Sequence, residues 1–220
     1  MRSTFTVSLL LAWCIAFGQQ ELELFKDDAK GRPLYMTVNF ASEGSPYFFD
    51  EYQPARLTIV GGAVYKNVRI KFNMVDHLLQ YLAPDGKEMV TEMPVEKIRF
   101  SNGSNTMLQS LTGALNRAGS DIYEVLDTGR IKLLKKITVI FRDNKGYGDA
   151  ATTRVFERKE FFYSLKTDGS VEKIEKGKTA MLALLADKKD KIALFIDKQH
   201  ISCKSETDYR QIFAFYNNDL

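Results

Sequence analysis

The chain has little of what makes chemistry easy to read. Its 220 residues hold two cysteines, two histidines, one tryptophan and five prolines. Cys14 lies in an apolar leader, so Cys203 is the only cysteine beyond it. A lone cysteine closes no internal disulfide and builds no cysteine-rich zinc site. His77 and His200 are far apart, and neither sits in His-Glu-x-x-His. Gly-x-Ser-x-Gly, the Walker A loop and Gly-x-Gly-x-x-Gly are absent. Five prolines and fourteen glycines exclude collagen-like and low-complexity sequence. Charge of one sign is also scarce. The 31 basic and 28 acidic residues leave +3, too small a surplus to predict a strong field for nucleic acid.

Long apolar runs are missing except at the start. Arg2 supplies a positive charge, and Phe5 to Phe17 is apolar apart from Thr6 and Ser8. Ala16-Phe17-Gly18 then places small residues at −3 and −1 before Gln19. This is the layout of a signal peptide. The run falls short of the ~20 residues that span a bilayer, which argues against an uncleaved anchor. Trp13 precedes Cys14 where a lipobox needs a small residue, so lipidation is disfavoured. Cleavage after Gly18 leaves 220 − 18 = 202 residues and, with Arg2 lost, a charge of 30 − 28 = +2. No later run reaches membrane-spanning length. The balance of 45% hydrophobic and 27% charged residues is that of a globular protein.

Residues 19–32 are polar and charged, a loose lead-in. From Pro33 to Ile174 the dominant period is two. Arg56 to Val60 alternates, and Gly61-Gly62 is a hairpin dipeptide. The next run, to Phe72, puts Val64, Val68, Ile70 and Phe72 on one face and Tyr65, Asn67, Arg69 and Lys71 on the other. That is the pattern of an antiparallel strand wet on one side. His77 to Leu82 and Lys87 to Thr91 are joined across Pro84-Asp85-Gly86, and Lys97 to Phe100 and Ile122 to Leu126 follow. In Arg130 to Phe141 the residues Ile131, Leu133, Ile137, Val139 and Phe141 share a face. Val155 to Lys166 and Ser170 to Ile174 meet across Asp168-Gly169. Phe161, Phe162 and Tyr163 put aromatics on both faces of a strand, which predicts cover on both sides. Between Ser101 and Ser120, Leu108, Leu111 and Leu115 are helically spaced among glycines, an excursion with one helical turn at most. Asp143 to Thr153 reads as a loop.

After Glu175 the period becomes helical. Met181, Leu184 and Leu185 share one face, and Asp187 is placed to cap a second helix carrying Ile192, Phe195 and Ile196. Ser205 and Asp208 resemble a capping box, opening a helix with Tyr209, Ile212, Phe213 and Tyr216 as its stripe. Helices this short are marginal alone and must pack on each other or on the sheet.

Gly44-Ser45-Pro46-Tyr47, Glu51 and the run Gly62 to Phe72 form one familiar stretch. Lys145-Gly146-Tyr147-Gly148-Asp149, followed by C-terminal helices ending Phe215-Tyr216-Asn217, form another. Together they resemble a group of uncharacterised exported proteins of Bacteroidetes bacteria, over most of the mature chain. The resemblance implies a Gram-negative envelope context and carries no activity or site. Phe48-Phe49 departs from the Leu and polar residue expected after Gly-Ser-Pro-Tyr.

The remaining chemical candidates are thin. Cys203 and His200, three residues apart, could form a Cys–His dyad, but a small buried thiol beside a surface histidine explains both. Asp143 to Asp149 has a calcium-loop flavour, yet Lys145 and Tyr147 fill donor positions and no distal Glu follows. Asn102-Gly103-Ser104 is chemically a turn, and a glycosylation acceptor only in a secretory eukaryote. Nine lysines against six acids between Lys166 and Lys204 could meet anionic lipid, although mixed signs favour an ordinary wet helix face. Tyr209, Phe213 and Tyr216 read as core.

The expectation is therefore an α+β protein. Residues 1–18 are a signal peptide, 19–32 the lead-in, 33–174 a mainly antiparallel β meander (roll, sandwich or partly open barrel), and 175–220 a three-helix cap. The expected function is that of an exported protein, periplasmic or extracellular. It binds or scaffolds an unknown envelope protein or polymer without catalysis. The alternative is a hydrolase of an envelope polymer using carboxylates that sequence does not single out. No catalytic residue, metal or cofactor is assigned, nucleic acid is not expected, and no stable membrane span remains after cleavage.

Overall fold

The computed structural model describes residues 21–22, 31–34, 41–145 and 152–218. The leader with Cys14 and Gln19, most of the lead-in, and Gly146 to Asp149 of the calcium-like loop lie outside the described residues. The fold is α+β: an open, mostly antiparallel sheet followed by three C-terminal helices.

Two meanders share one edge. The first runs β4 (Gln53–Ile59), β5 (Val64–Asn73), β6 (Leu78–Leu82) and β7 (Glu88–Val90). The second runs β8 (Val95–Phe100), β9 (Met107–Gln109), β10 (Tyr123–Thr128), β11 (Lys132–Asn144), β12 (Thr153–Leu165) and β13 (Val171–Lys173). β8 returns to pair with β4, giving the order β13-β12-β11-β10-β9-β8-β4-β5-β6-β7. The short β1 (Glu21–Leu22) adds parallel to β5, β2 (Arg32–Pro33) pairs with β7, and β3 (Ala41–Glu43) adds parallel to β12. Some of the lead-in is thus strand. Gly61 and Gly62, at φ 102° and 95°, make the β4–β5 turn that other residues adopt only under strain.

The expectations for Tyr65 and for the stretch from Asp143 need correction, and Ser101 to Ser120, open between helix and loop in the sequence, is resolved. Tyr65 is buried with Val68, Ile70 and Phe72, not set opposite them. Pairing passes from Ala55↔Val68 to Leu57↔Tyr65, so β5 carries one extra residue, and Asn67 at φ 55° absorbs it. A bulge reverses the alternation beyond it. Ser101 to Ser120 forms no helix: Leu108 lies in β9, and both Leu108 and Leu115 are buried in the β core. The supposed loop from Asp143 is strand through Asn144, with β12 starting at Thr153. Arg154 there donates Nε and Nη2 hydrogen bonds to Asp143, at 2.7 and 2.9 Å.

The inner face of the curved sheet holds one core, with Leu57, Ile70, Phe72, Ile98, Phe100 and Ile137 among its members. A second core lies under the helices α1 (Lys178–Leu184), α2 (Lys189–Lys198) and α3 (Glu206–Asn218). There Met181, Ile192, Ile196, Ile212 and Phe213 pack with Ile131, just before β11, and with Leu133 of β11. The capping box forms as spaced: Asp208 N–H donates to Ser205 Oγ and Ser205 N–H to Asp208 Oδ2, both at 3.2 Å. Asp187 does not cap α2. It lies in a 3₁₀ turn, where it accepts the Tyr216 hydroxyl at 2.8 Å, and α2 has no side-chain cap. No helix among the described residues is long and apolar enough to cross a membrane.

Candidate functional site

β11 divides the chemistry between its two faces. Inward, Ile131 and Leu133 meet the helices and Ile137 and Val139 meet the β core; Lys135 falls between them. Its ammonium lies 2.8 Å from Glu124 Oε2, 3.0 Å from Glu206 Oε2 and 3.9 Å from Glu160 Oε2. The Lys135 side chain is 10% exposed and that of Glu124 12%. Arg210 also holds Glu206 at 2.8 Å and Arg158 holds Glu160 at 2.9 Å, whereas Lys135 is the only cation on Glu124 among the described residues. Burial alone would pull the Lys135 pKa down, but hydrogen bonds to Glu124 and Glu206 outweigh it and raise it. Glu206 shows the converse: burial pushes its pKa up, and Lys135 and Arg210 bring it below the usual carboxylate value. This lysine stays protonated, so it is no nucleophile. It ties α3 to the middle of the sheet.

Outward, no described helix packs on the same strands. The pairing Lys136↔Phe161, Thr138↔Lys159 and Ile140↔Glu157 sets these side chains on one surface, with Val171 and Lys173 of β13 beside Leu165 and Tyr163. Ile140 is 36% exposed, Phe161 41% and Val171 41%, half of the six large apolar side chains exposed among the described residues. Beneath them Tyr123, Leu134 and Tyr163 form a floor, the two tyrosine rings edge to face at 5.8 Å. Burial, then the charge of Asp121, pushes the Tyr123 phenol up to about 12, so it stays neutral. The strand-borne charges of β11 to β13 on this surface are Lys132, Lys136, Arg142, Lys159 and Lys173 against Glu157. Among the described residues the aromatic run of β12 meets helices on one side only: Phe162 meets Tyr209 of α3, ring centroids 5.0 Å apart, and Phe161, on the other side, is exposed.

The residues singled out in the sequence do not converge on this surface. Cys203 is fully buried at φ 59°, its thiol 3.9 Å from the Ile201 carbonyl, and burial raises its pKa. His200 is exposed in the preceding turn. His77, at φ 54°, makes a 3.2 Å Nδ1 contact with the Leu115 carbonyl. It lines an open cleft of about 270 Å³ with Met74, Asp121, Lys136 and Val139. Asn102 forms its turn, its Oδ1 accepting the Ser104 hydroxyl at 2.6 Å. In the lysine-rich helices Lys178 pairs with Asp197 at 2.5 Å. Among the described residues no group of three His, Cys, Asp or Glu is disposed to hold a metal. The outer surface was missed although its signal, Lys132 and Lys136 on one parity of β11 and Lys159 beside Phe161 on β12, stood in the sequence.

Comparison with protein-family models, curated protein sequences and solved structures finds no match to this chain.

Proposed function

We propose that this is an exported envelope protein that binds or scaffolds a partner on the outer surface of β10 to β13 and performs no chemistry of its own. One observation carries the reading: the helices cover one face of this end of the sheet, and the other presents Phe161, Ile140 and Val171 to solvent among lysines. Apolar side chains exposed along one surface mark interaction sites. The signal-like leader and the resemblance to exported Bacteroidetes proteins support the envelope setting. The hydrolase alternative needs a carboxyl held protonated. Glu206 and Asp208, the two buried or half-buried carboxyls with resolved shifts, are moved the other way.

The test expresses the full chain in a Gram-negative host and fractionates the cells. Wild type is expected to co-sediment with washed envelope material. Phe161→Ser with Val171→Ser should release it, and Leu194→Ser, an exposed change on α2, should not. Equal sedimentation of all three would overturn the reading.

A further inference from the structure

We propose that the occupant of this outer surface is an acidic polysaccharide, a chain of uronate-type sugars; this rests on the binding reading above. The argument starts from Phe161. Its ring is 41% exposed on a strand paired on both sides, where a flat apolar ring can lie against the C–H face of a sugar. Three ammonium groups surround it. Lys136 is its direct cross-strand partner, Lys159 is two residues back on the same strand and side, and Lys173 Nζ lies 5.6 Å from the ring centroid. Lys132 continues the row along β11, four residues and about 13 Å from Lys136.

The local acids do not neutralise this set. Asp121 holds Lys136 at 2.7 Å and Glu175 holds Lys173 at 3.2 Å, whereas Lys132 and Lys159 make no ion pair among the described residues. Arg142 is matched by Glu157 across the strands. Lys159, without an ion pair among the described residues, and Lys136 and Lys173, available by exchange, thus flank one exposed ring, and Lys132 stands further along β11. A neutral glycan would use the ring and ignore the lysines. A lipid surface would use the charge but gains little from a ring set level within a sheet, with no apolar loop described beside it to insert. A polymer with one carboxylate per sugar matches both features, and Lys132 and Lys136, about 13 Å apart along β11, with Lys159 and Lys173 on the neighbouring strands, offer it successive anchoring points.

The experiment titrates the full-length mature protein with polygalacturonate, neutral dextran and phosphatidylglycerol vesicles, in 50 and 200 mM salt. Polygalacturonate is expected to bind, to weaken at least about tenfold over that salt range as several counterions are displaced, and to exceed dextran at low salt. Lys132→Ala with Lys159→Ala should flatten the salt dependence, and Phe161→Ala should weaken polygalacturonate at both salt concentrations. Circular dichroism melts of each variant check that it is folded; these exposed sites should leave the melt unchanged. Equal binding of dextran, stronger binding of the vesicles through the same residues, or no binding of polygalacturonate would each overturn the inference. If the Phe161 and Val171 changes still release the protein from envelope material while polygalacturonate fails, the binding reading survives and the polysaccharide falls.

Discussion

Replacing Lys135 with methionine should be the most damaging single change on β11. The substitution keeps the length of the chain and removes its charge, leaving Glu124 with its side chain 12% exposed and no other cation in reach among the described residues. Breaking a buried pair from one side costs about 3–5 kcal/mol, because the survivor keeps its desolvation penalty without compensation. For a chain of this size each kcal/mol moves the melting temperature by roughly 2–4 °C, so the loss should lie near 10 °C. Glu206 and Glu160 contribute less to that figure, because Arg210 and Arg158 still hold them. Adding Glu124→Leu should therefore restore most of the stability, since an apolar pair of similar volume often matches a buried ion pair. Urea unfolding of wild type, both single variants and the double variant gives the coupling directly. A cost under about 1 kcal/mol for Lys135→Met, or additive single effects, would refute the assignment of Glu124 as its principal partner.

Four further outcomes are expected. Glu206 and Asp208 have folded pKa values below the ordinary carboxylate range, so their stabilisation is full above about pH 4 and is lost as pH falls through the folded values. Acid titration followed by near-ultraviolet circular dichroism should show the helices loosening first. Phe213→Ala should cost about 3–5 kcal/mol as a large buried side chain, and truncation after Ile174 should yield an aggregating β-domain; a soluble fragment with the full-length melting temperature would contradict it. Cys203 should label with thiol reagents only as the protein opens, because burial holds it protonated. Gly129→Ala should destabilise the chain: its added methyl would meet Asn217, whose side chain accepts Ile131 N–H at 3.2 Å and donates to Asp127 at 2.6 Å.

The parts of the fold open to reading were those governed by local chemistry. Gly61-Gly62 and Asp168-Gly169 mark hairpins that exist because each supplies a left-handed turn residue. Ser205 and Asp208 cap α3 because reciprocal bonds need only a three-residue spacing. The misread strand and the stretch left ambiguous share another cause. A period of two holds only while the register holds, and Asn67 breaks it, so Tyr65 entered the core from the side assigned to solvent. Leu108, Leu111 and Leu115 have helical spacing by accident of length: Leu108 and Leu115 reach the same core from a three-residue strand and a later turn. Tertiary pairing, absent from any single window, decided both.

The same reasoning explains why the candidate site escaped notice. A net charge of +3 averages over the chain, but a strand sorts charge by parity. Lys135 and Lys136 are adjacent in sequence and opposite in role. The first lies in the apolar stripe of Ile131, Leu133, Ile137 and Val139, where only buried acids permit a cation. The second stands on the wet face opposite Phe161. The inward side collects acids, Glu124, Glu160 and Glu206, from two strands and a helix, and each is matched to a cation. On the outward face of β11 to β13, Glu157 is the only strand acid against five cations, so a small overall surplus becomes a local excess. Lys135 was the readable clue: a lysine in the middle of an apolar stripe requires a carboxylate partner, and a strand that buries one lysine to hold a helix against its inner face leaves the next one for whatever meets its outer face.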